Sequence, residues 1–250
     1  MLLFAIIRAM RDYNPRMEKE KLKLGVGEMR KYKRALIIGA SGGIGGALAA
    51  SVLADETVTL SRSADGFDLT DERTVEAAAA RLEGEFDLIV DATGALEIDG
   101  IGPEKSLRQI DPAVMAAQFS TNAIGPALIF KHFMRRLPRG DRAVLATLSA
   151  RVGSIGDNGL GGWVSYRAAK AALNQIVRTT SIELARTHPE AICVALHPGT
   201  VKTPLTDRYV GNHPTVSPDE AAQNLLVVLD QLQPENTGGF YDWAGKEVPW

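Results

Sequence analysis

Residues 34–45 read RALIIGASGGIG, an apolar run that passes directly into a cluster of glycines. The apolar run predicts a buried strand, and Gly39, Gly43 and Gly45 predict a tight turn that opens a helix. A turn without side chains lets a phosphate approach backbone amides at the positive end of that helix. The GxxxGxG spacing is weak evidence by itself, because such glycines often serve packing alone.

Strand-like and helix-like segments alternate along the rest of the chain. The candidate strands are VTLS at 58–61, FDL at 67–69, FDLIVDATG at 86–94, RAVLATLS at 142–149, AICVALHPG at 191–199 and GGFYDW at 238–243. The candidate helices are 45–54, 71–84, 111–137, 163–187 and 217–232. This alternation predicts an α/β fold, a mostly parallel sheet with helices on both faces, in a single domain.

Composition excludes several classes of protein. The chain of 250 residues is 45% hydrophobic and 23% charged with a net charge of −2, so there is no electrostatic case for binding nucleic acid or an acidic membrane. Cys193 is the one cysteine, in the apolar run AICVAL, and is expected to be a buried filler. A single cysteine supports neither a disulfide nor a Cys-based metal site, and no metal is expected. No membrane span is expected either, because the apolar stretches are far shorter than the ~20 residues a membrane helix needs.

The first part of the chain differs in charge from the rest. Residues 1–34 hold ten Lys or Arg and four Asp or Glu, a net of +6, which leaves −8 for the remainder. We expect residues 1–33 to form a basic, flexible or poorly packed N-terminal extension and 34–250 to form the domain. An amphipathic targeting or interfacial helix is the alternative, since Arg8 and Arg11 follow an apolar block. Met29 is also a natural starting point, so the segment before it need not be translated.

Tyr166 and Lys170 are four residues apart in SYRAAKAALNQIV, within a predicted helix. Positions i and i+4 lie on the same face, so the phenol and the ammonium can meet over one site. A nearby ammonium is expected to lower the pKa of the phenol from its ordinary value of roughly 10. The pair therefore predicts a general acid or base.

These features together resemble the short-chain dehydrogenase/reductase family over nearly all of residues 34–250. The motifs that carry the resemblance are GASGGIG at 39–45, DATG at 91–94, NAIGP at 122–126, Ser149, YRAAK at 166–170 and HPGTVKT at 197–203. The segments SARVGSIGDNGLGGW and YDWAGKEVPW are similar to the C-factor or carbonyl-reductase-like branch. The resemblance implies a Rossmann-type doubly wound fold, a cytoplasmic location and a homodimer or homotetramer.

The resemblance also implies roles for single residues. Asn122 matches the asparagine that holds a water linking the lysine to solvent, and Ser149 the serine that polarises the substrate carbonyl. Tyr166 matches the proton donor or acceptor, and Lys170 the residue that binds the nicotinamide ribose and lowers the tyrosine pKa. Reduction of a carbonyl builds an alkoxide, and a hydroxyl beside a positioned acid stabilises that charge.

Cofactor choice depends on the end of the second strand, which reads LSRS. An acidic residue there would hold the ribose of NAD, whereas Arg62 suits the extra phosphate of NADP. Arg62 therefore favours NADP. NAD stays possible for two reasons: Gly42 replaces the family's other basic residue, and the alternative interpretation of Arg62 is a solvated loop charge. The implied cofactor contacts are Gly39, Ser41, Gly43, Ile44, Gly45, Ser61, Arg62, Asp68, Leu69, Ala92, Gly94, Tyr166, Lys170, Pro198, Gly199, Val201 and Thr203.

The chain departs from the family pattern in two places. The segment between Ser149 and Tyr166 is long and glycine-rich, so it either loops over the active site and shapes substrate choice or is a flexible insertion. Asp91 replaces an asparagine, which puts the usual hydrogen bonding of the central strands in doubt.

The polar segment 205–218 is expected to cover a bound substrate. His197 and His213 are expected in loop or supporting roles, with no metal.

The sequence thus predicts an NAD(P)-dependent oxidoreductase that acts on a small-molecule carbonyl or alcohol, with NADPH as the favoured reductant. The competing interpretation is an NADP-binding sensor or cell-signalling protein of the same fold with little turnover. A complete Asn, Ser, Tyr and Lys set argues for the enzyme, since a sensor does not need an acid activated beside the nicotinamide.

Overall fold

The computed structural model describes residues 29–203, 208–209 and 214–250. Its sheet consists of β1 Tyr32–Ile38, β2 Ala54–Leu60, β3 Leu88–Asp91, β4 Ala143–Leu148, β5 Ala191–His197 and β6 Phe240–Asp242. The strands lie in the order β2-β1-β3-β4-β5-β6, and each neighbouring pair is parallel. The predicted α/β fold with a parallel sheet is therefore confirmed.

Helices connect the strands in the predicted alternation. They are α1 Gly43–Ser51, α2 Arg62–Asp65, α3 Glu72–Arg81, α4 Pro112–Phe119, α5 Gly125–Phe133, α6 Val164–Leu184 and α7 Pro218–Gln231. Local chemistry starts three of them, because the side chains of Asp71, Asp111 and Ser217 accept hydrogen bonds from amides in the first turns of α3, α4 and α7. Proline at the first position of α4 and of α7 favours the same starting points.

Two apolar cores lie on opposite faces of the sheet. Successive side chains of a strand point to opposite faces, so Leu36 and Ile38 belong to one core and Ile37 to the other. The first core packs against α3, α5 and α6, and the second packs against α1 and α7. Cys193 is buried in the first core, where desolvation raises the pKa of its thiol to about 12. It is the buried filler that was expected.

The segment 67–69, predicted as a short third strand, is not a strand. Its amides are used locally, because Phe67 N donates to the Ser61 carbonyl at 3.3 Å and Asp68 N donates to Thr74 Oγ1 at 3.0 Å. The Asp68 carboxylate then accepts from Thr70 N at 2.9 Å, which turns the chain. These bonds are used in place of strand pairing, and β2 is an edge strand of the sheet.

The described chain is fixed from its first residues. Arg30 N donates to Asp230 Oδ2 at 2.9 Å, and the Tyr32 hydroxyl donates to Asp230 Oδ1 at 3.1 Å. The strand β1 begins at Tyr32, two residues before the boundary expected at 34. Residues 1–28, for which an extension was expected, lie outside the described residues.

The helical stretch 112–136 combines α4, a π-helical turn over Ser120–Ile124, α5 and a 3₁₀ turn. By length and composition it is the one helix of the described residues that could cross a membrane. Here it packs on the sheet, with Ile129, Phe130 and Phe133 in the first core. The π-helical turn interrupts the continuous helix that the sequence predicted, and Asn122 lies inside it.

Candidate active site

The residues predicted to bind a cofactor or to act in catalysis gather where the parallel strands end. Gly39 follows β1, Ser61 follows β2, Ala92 follows β3, Ser149 follows β4 and Pro198 follows β5. The chain order also reverses here, because β2 and β3 lie on opposite sides of β1. The carboxyl edge at such a reversal is where open α/β sheets bind ligands.

The glycine turn is packed too closely for side chains. Gly39 has φ +88°, and a Cβ there would lie 3.0 Å from the Ala92 carbonyl oxygen. A Cβ on Gly45 would overlap the Gly39 carbonyl oxygen. Gly42 caps α1 without a side-chain hydrogen bond, and Gly43 after it is exposed. The N-terminal amides of α1 are therefore open to a ligand.

The segment 198–203 lies beside this turn. A Cβ on Gly43 would come within 2.9 Å of Thr203 Cγ2, so the two segments are in contact distance. Gly199 has φ +81° and packs against Trp243, and Val201 forms a bridge with Val216. Within the glycine turn itself, Ser41 is exposed and Ile44 packs on the second core.

The segment that follows β2 carries a basic and an acidic side chain, Arg62 and Asp68. The Ser61 hydroxyl accepts from Ala64 N at 3.2 Å, and Ser61 N donates to Asp65 Oδ2 at 2.8 Å, so this serine starts α2. Arg62 is exposed at the first position of α2. The pKa of Asp68 is lowered, mainly by hydrogen bonds from Thr70 and in smaller part by the positive charge of Arg62.

Leu69, predicted on the adenine side, packs against the start of α5. A Cβ on Gly125 would overlap the Leu69 side chain, so this leucine fixes how closely α5 approaches. Arg62, Asp68 and Leu69 thus follow one another around the end of β2. These two charged residues and one leucine surround the end of β2 and do not themselves form a strand.

Tyr166 and Lys170 share one face of α6 as predicted. The Lys170 ammonium lies 5.9 Å from the centroid of the Tyr166 ring and donates to the Leu148 carbonyl at 2.9 Å. Because Leu148 precedes Ser149, this bond brings the lysine next to the predicted serine. A Cβ on Gly94 would lie 3.0 Å from Asn122 Oδ1 and 3.3 Å from Lys170 Nζ, so Gly94 packs closely against both side chains.

The expected lowering of the Tyr166 pKa is wrong in this structure. Burial raises the pKa of the Tyr166 phenol above its ordinary value. Burial also lowers the pKa of Lys170 to about 8, and the Asp91 carboxylate only partly opposes this. Desolvation thus dominates at both groups and acts against the lowering of the Tyr166 pKa that the proximity of Lys170 predicted.

Ser149 is held by a neighbour that sequence reasoning did not select. Its Oγ donates to Asn174 Oδ1 at 2.6 Å, and both residues are buried. Asn174 lies one helical turn beyond Lys170 on α6. The spacing of a third polar residue at i+4 was the signal that could have identified it.

Asn122 joins the π-helical turn to the chain after β3. Its Nδ2 donates to the Ala95 carbonyl at 2.8 Å and to Gln118 Oε1 at 2.7 Å, and its Oδ1 accepts from Ala95 N at 3.1 Å. Its buried amide is therefore used in fixing the loop that passes Gly94. The water-holding role implied for Asn122 remains a prediction.

Asp91 supplies hydrogen bonds that the substitution had put in doubt. Its carboxylate accepts from Thr147 Oγ1 on β4 at 2.7 Å and from Thr93 N at 3.0 Å. Burial nevertheless raises its pKa. Asp91 thus connects the two central strands directly beneath the site.

The chain matches the family model described as short chain dehydrogenase over residues 60–213. It is 32% identical over 188 residues to a 1-hydroxy-2-glutathionyl-2-methyl-3-butene dehydrogenase of Rhodococcus sp. (strain AD45), covering 74% of this chain and 79% of the relative. It is 38% identical over 146 residues to the C-signal of Myxococcus xanthus, covering 58% of this chain and 84% of that protein. The NADPH-bound carbonyl reductase from chicken fatty liver is similar in structure, with a TM-score of 0.75 and 26% identity over 88% of this chain and all of that one.

The chain belongs to the short-chain dehydrogenase family. It is therefore an oxidoreductase that acts on CH–OH or C=O groups with a nicotinamide dinucleotide. The similarity to the C-factor and carbonyl-reductase-like branch, inferred from the sequence, is confirmed by these relatives.

The site of this short-chain dehydrogenase fits a dinucleotide. A Cβ at Gly39 or Gly45 would close the turn, and the exposed amides at the start of α1 suit a pyrophosphate. Among the described residues no salt bridge involves Arg62, and its side chain is exposed at the start of α2. No group of three His, Cys, Asp or Glu in the described ranges is placed to hold a metal.

Aromatic side chains border Tyr166, the tyrosine predicted to act in catalysis. Trp163 packs edge-to-face against Tyr166, with centroids 6.4 Å apart, and against Tyr209 at 5.7 Å. The Tyr209 hydroxyl donates to Glu97 Oε1 at 2.6 Å. Tyr209 belongs to the segment 205–218 expected to cover a substrate, most of whose first half lies outside the described residues. The contacts of Trp163 with both tyrosines could not be predicted from a sequence pattern.

The glycine-rich segment between Ser149 and Tyr166 is anchored to residues near the end of the chain. Ser154 Oγ donates to the Pro249 carbonyl at 2.5 Å, and Gly156 N donates to the Trp250 carbonyl at 2.8 Å. Arg151 makes ion pairs with Asp157 and with Asp242 on β6. Part of the insertion is thus tied to the protein body, which favours a shaping role over a free loop.

Proposed function

We propose that this protein reduces the carbonyl group of a small molecule with NADPH, or oxidises the corresponding alcohol in the reverse direction. The observation that carries the proposal is that Lys170 lies beside the Tyr166 ring and donates to the carbonyl of Leu148, the residue before Ser149, at the same sheet edge as the glycine turn. This placement brings an acid, a hydroxyl donor and a dinucleotide cradle together. The dehydrogenase of Rhodococcus and the chicken carbonyl reductase supply relatives with this class of chemistry.

In the proposed reaction a bound nicotinamide supplies the hydride. Ser149 holds the carbonyl oxygen, and Tyr166 gives its proton to the developing alkoxide. The high pKa of Tyr166 suits this direction, because the phenol keeps its proton until the alkoxide, a stronger base, appears. Lys170, with a pKa of about 8, is charged below that pH and stabilises the phenolate left behind. Trp163 and Tyr209 form an aromatic border against which the substrate packs.

NADP is the proposed cofactor in preference to NAD. Arg62 lies exposed after β2, where the adenosine ribose of a dinucleotide would reach. A guanidinium pairs well with a phosphate monoester and gives a ribose hydroxyl little advantage. The chicken carbonyl reductase that resembles this chain is the NADPH-bound form.

The decisive experiment measures NADPH consumption by the purified protein across a panel of aromatic and aliphatic carbonyls. Tyr166→Phe is expected to lower kcat by roughly 10² to 10⁴-fold with cofactor affinity retained, because only the transferred proton is lost. Tyr32→Phe is the matched control, since Tyr32 lies at the opposite end of β1 and bonds Asp230. Turnover in Tyr166→Phe equal to that of Tyr32→Phe would overturn the mechanism.

The similarity to the C-signal of Myxococcus xanthus supports one alternative, a cofactor-binding signalling protein with little turnover. This alternative and the enzyme differ in a single measurement. Tight NADPH binding by the wild-type protein with no consumption across the whole panel would favour signalling. Consumption that depends on Tyr166 would favour the enzyme.

A further inference from the structure

Asn174 forms a hydrogen bond with Ser149, the residue proposed to donate to the substrate carbonyl. It is 3% exposed and accepts the Ser149 hydroxyl hydrogen on Oδ1 at 2.6 Å. Its other polar atom, Nδ2, is buried and has no hydrogen-bond partner among the described residues. The serine is thus held by an amide whose donor half is unused, although buried donors are rarely left without a partner.

A serine hydroxyl carries one hydrogen, so it can donate to one acceptor at a time. In the observed arrangement Ser149 gives that hydrogen to Asn174, and none is left for a substrate carbonyl. If the Asn174 amide turns over, Nδ2 donates to Ser149 Oγ and the serine hydrogen is released toward the substrate. This rotation of the Asn174 amide gives its buried Nδ2 a hydrogen-bond partner. It leaves only Oδ1 without a partner, and proteins tolerate an unpaired carbonyl oxygen more readily than an unpaired N–H.

We propose that Asn174 is a positioning residue that sets the direction of the Ser149 hydroxyl and so decides whether Ser149 can donate to the substrate carbonyl. This inference rests on the proposed function. Asn174 does not itself touch the substrate, because it acts through Ser149. An asparagine suits the task since it offers a donor and an acceptor at equal reach, whereas aspartate offers only an acceptor when ionised.

The informative variant is Asn174→Asp. Lys170 and Arg178 lie one turn before and one turn after position 174 on α6, and Asp91 interacts electrostatically with Lys170 from β3. The two cations favour an ionised carboxylate, and Asp91 opposes them. An ionised carboxylate can only accept from Ser149, whereas a protonated one can also donate to it.

The experiment measures kcat with NADPH for each variant relative to wild type across pH. Asn174→Asp is expected to lose up to roughly 10²-fold at neutral pH, the scale of one lost transition-state donor. The loss should shrink as pH falls and the new carboxyl takes up a proton. Asn174→Ala should lose less, about tenfold, and its ratio to wild type should not vary with pH, because Ser149 is then free to turn. Gln175→Asp, which adds the same charge at the exposed neighbouring position, should leave the ratio near one.

Coupling to Ser149 separates positioning from a purely structural effect. In a Ser149→Ala background neither Asn174→Asp nor Asn174→Ala should lower kcat further, because the group they orient is gone. Full additivity, or a pH-independent loss in Asn174→Asp, would overturn the proposal. If Asn174→Asp does not fold, the cycle with Asn174→Ala still decides the matter. Failure of the proposed function would show itself separately, as a wild-type protein that consumes no NADPH.

Discussion

Burial controls the proton chemistry of the site at the level of single residues. Desolvation raises the pKa of Tyr166 and lowers that of Lys170 to about 8, so each group moves toward its neutral form. The i, i+4 spacing predicted their proximity correctly, but proximity alone predicted the opposite shift for the tyrosine. The sequence could not show that Lys170 is buried and donates to the Leu148 carbonyl.

Arg62 provides a test of cofactor choice. Arg62→Ala is expected to weaken NADP binding by one to two decades, because a charge-assisted bond to phosphate contributes roughly 1.5–3 kcal/mol. Binding of NAD should be nearly unchanged, since it lacks that phosphate. Titration calorimetry with both cofactors measures the difference. Arg81→Ala is the control, as Arg81 is exposed at the end of α3, away from the carboxyl ends of the strands. Equal losses for NADP and NAD would show that Arg62 supports the fold instead.

At the scale of secondary-structure elements, α6, which carries Tyr166 and Lys170, begins without a side-chain cap from its own N-terminal residue. Its N-cap residue, Trp163, has φ +52° and makes no side-chain capping bond. Glu104, from the segment after β3, takes that role: its carboxylate accepts from Ser165 N at 3.2 Å and from Ser165 Oγ, and its carbonyl accepts from Trp163 N at 2.5 Å. Burial acts to raise the pKa of Glu104, but the hydrogen bonds from the Ser165 hydroxyl and from the backbone amides of Glu104 and Ser165 together outweigh it, and the pKa is lowered.

Removing this remote cap should affect both stability and turnover. Glu104→Ala leaves buried donors of Ser165 unpaired and is expected to cost about 1–3 kcal/mol, several degrees in Tm. Because Ser165 precedes Tyr166, kcat should fall as well. Glu104→Gln keeps an acceptor and should lose less. Thermal melting and NADPH consumption measure both effects, with Glu183→Ala near the exposed end of α6 as the control. A Tm in Glu104→Ala equal to that of Glu183→Ala would contradict the capping role.

At the scale of the whole molecule, the periodic pattern of apolar residues predicted the fold. The places where the structure departs from that prediction depend on local hydrogen bonds, which periodicity does not indicate. Alternating apolar strands and amphipathic helices predicted the parallel sheet and its two cores. The π-helical turn at Asn122 and the missing third strand depend on particular hydrogen bonds, such as Asp68 N to Thr74 Oγ1. Glu104 and Ser165 meet across 61 positions of sequence, and no spacing rule links them. Local patterns therefore predicted Tyr166, Lys170 and Ser149, but not the residues that hold them in place.

His197 lies at the end of β5, and it is expected to make the stability of the folded protein depend on pH. Its Nδ1 is buried and has no hydrogen-bond partner among the described residues. Burial lowers its pKa to about 4, helped by the cation of Arg151 and opposed by the carboxylates of Asp242 and Asp157. In the unfolded chain the pKa returns to about 6.5, so between these values the unfolded state binds more protons. The contribution of neutral His197 to stability is thus complete above pH 6.5 and is lost as the pH falls toward 4.

The expected loss from this one group is up to about 3 kcal/mol. In His197→Gln the side chain stays neutral at every pH, so this part of the acid sensitivity should disappear. Urea unfolding of both proteins from pH 8 to pH 4 measures it. At pH 8 the histidine is neutral in both states, and the difference there reports packing alone. As the pH falls, the free energy of unfolding of wild type should drop more steeply than that of the variant, because every other titrating group is common to both. Parallel curves over that range would show that His197 is protonated in the folded protein without cost.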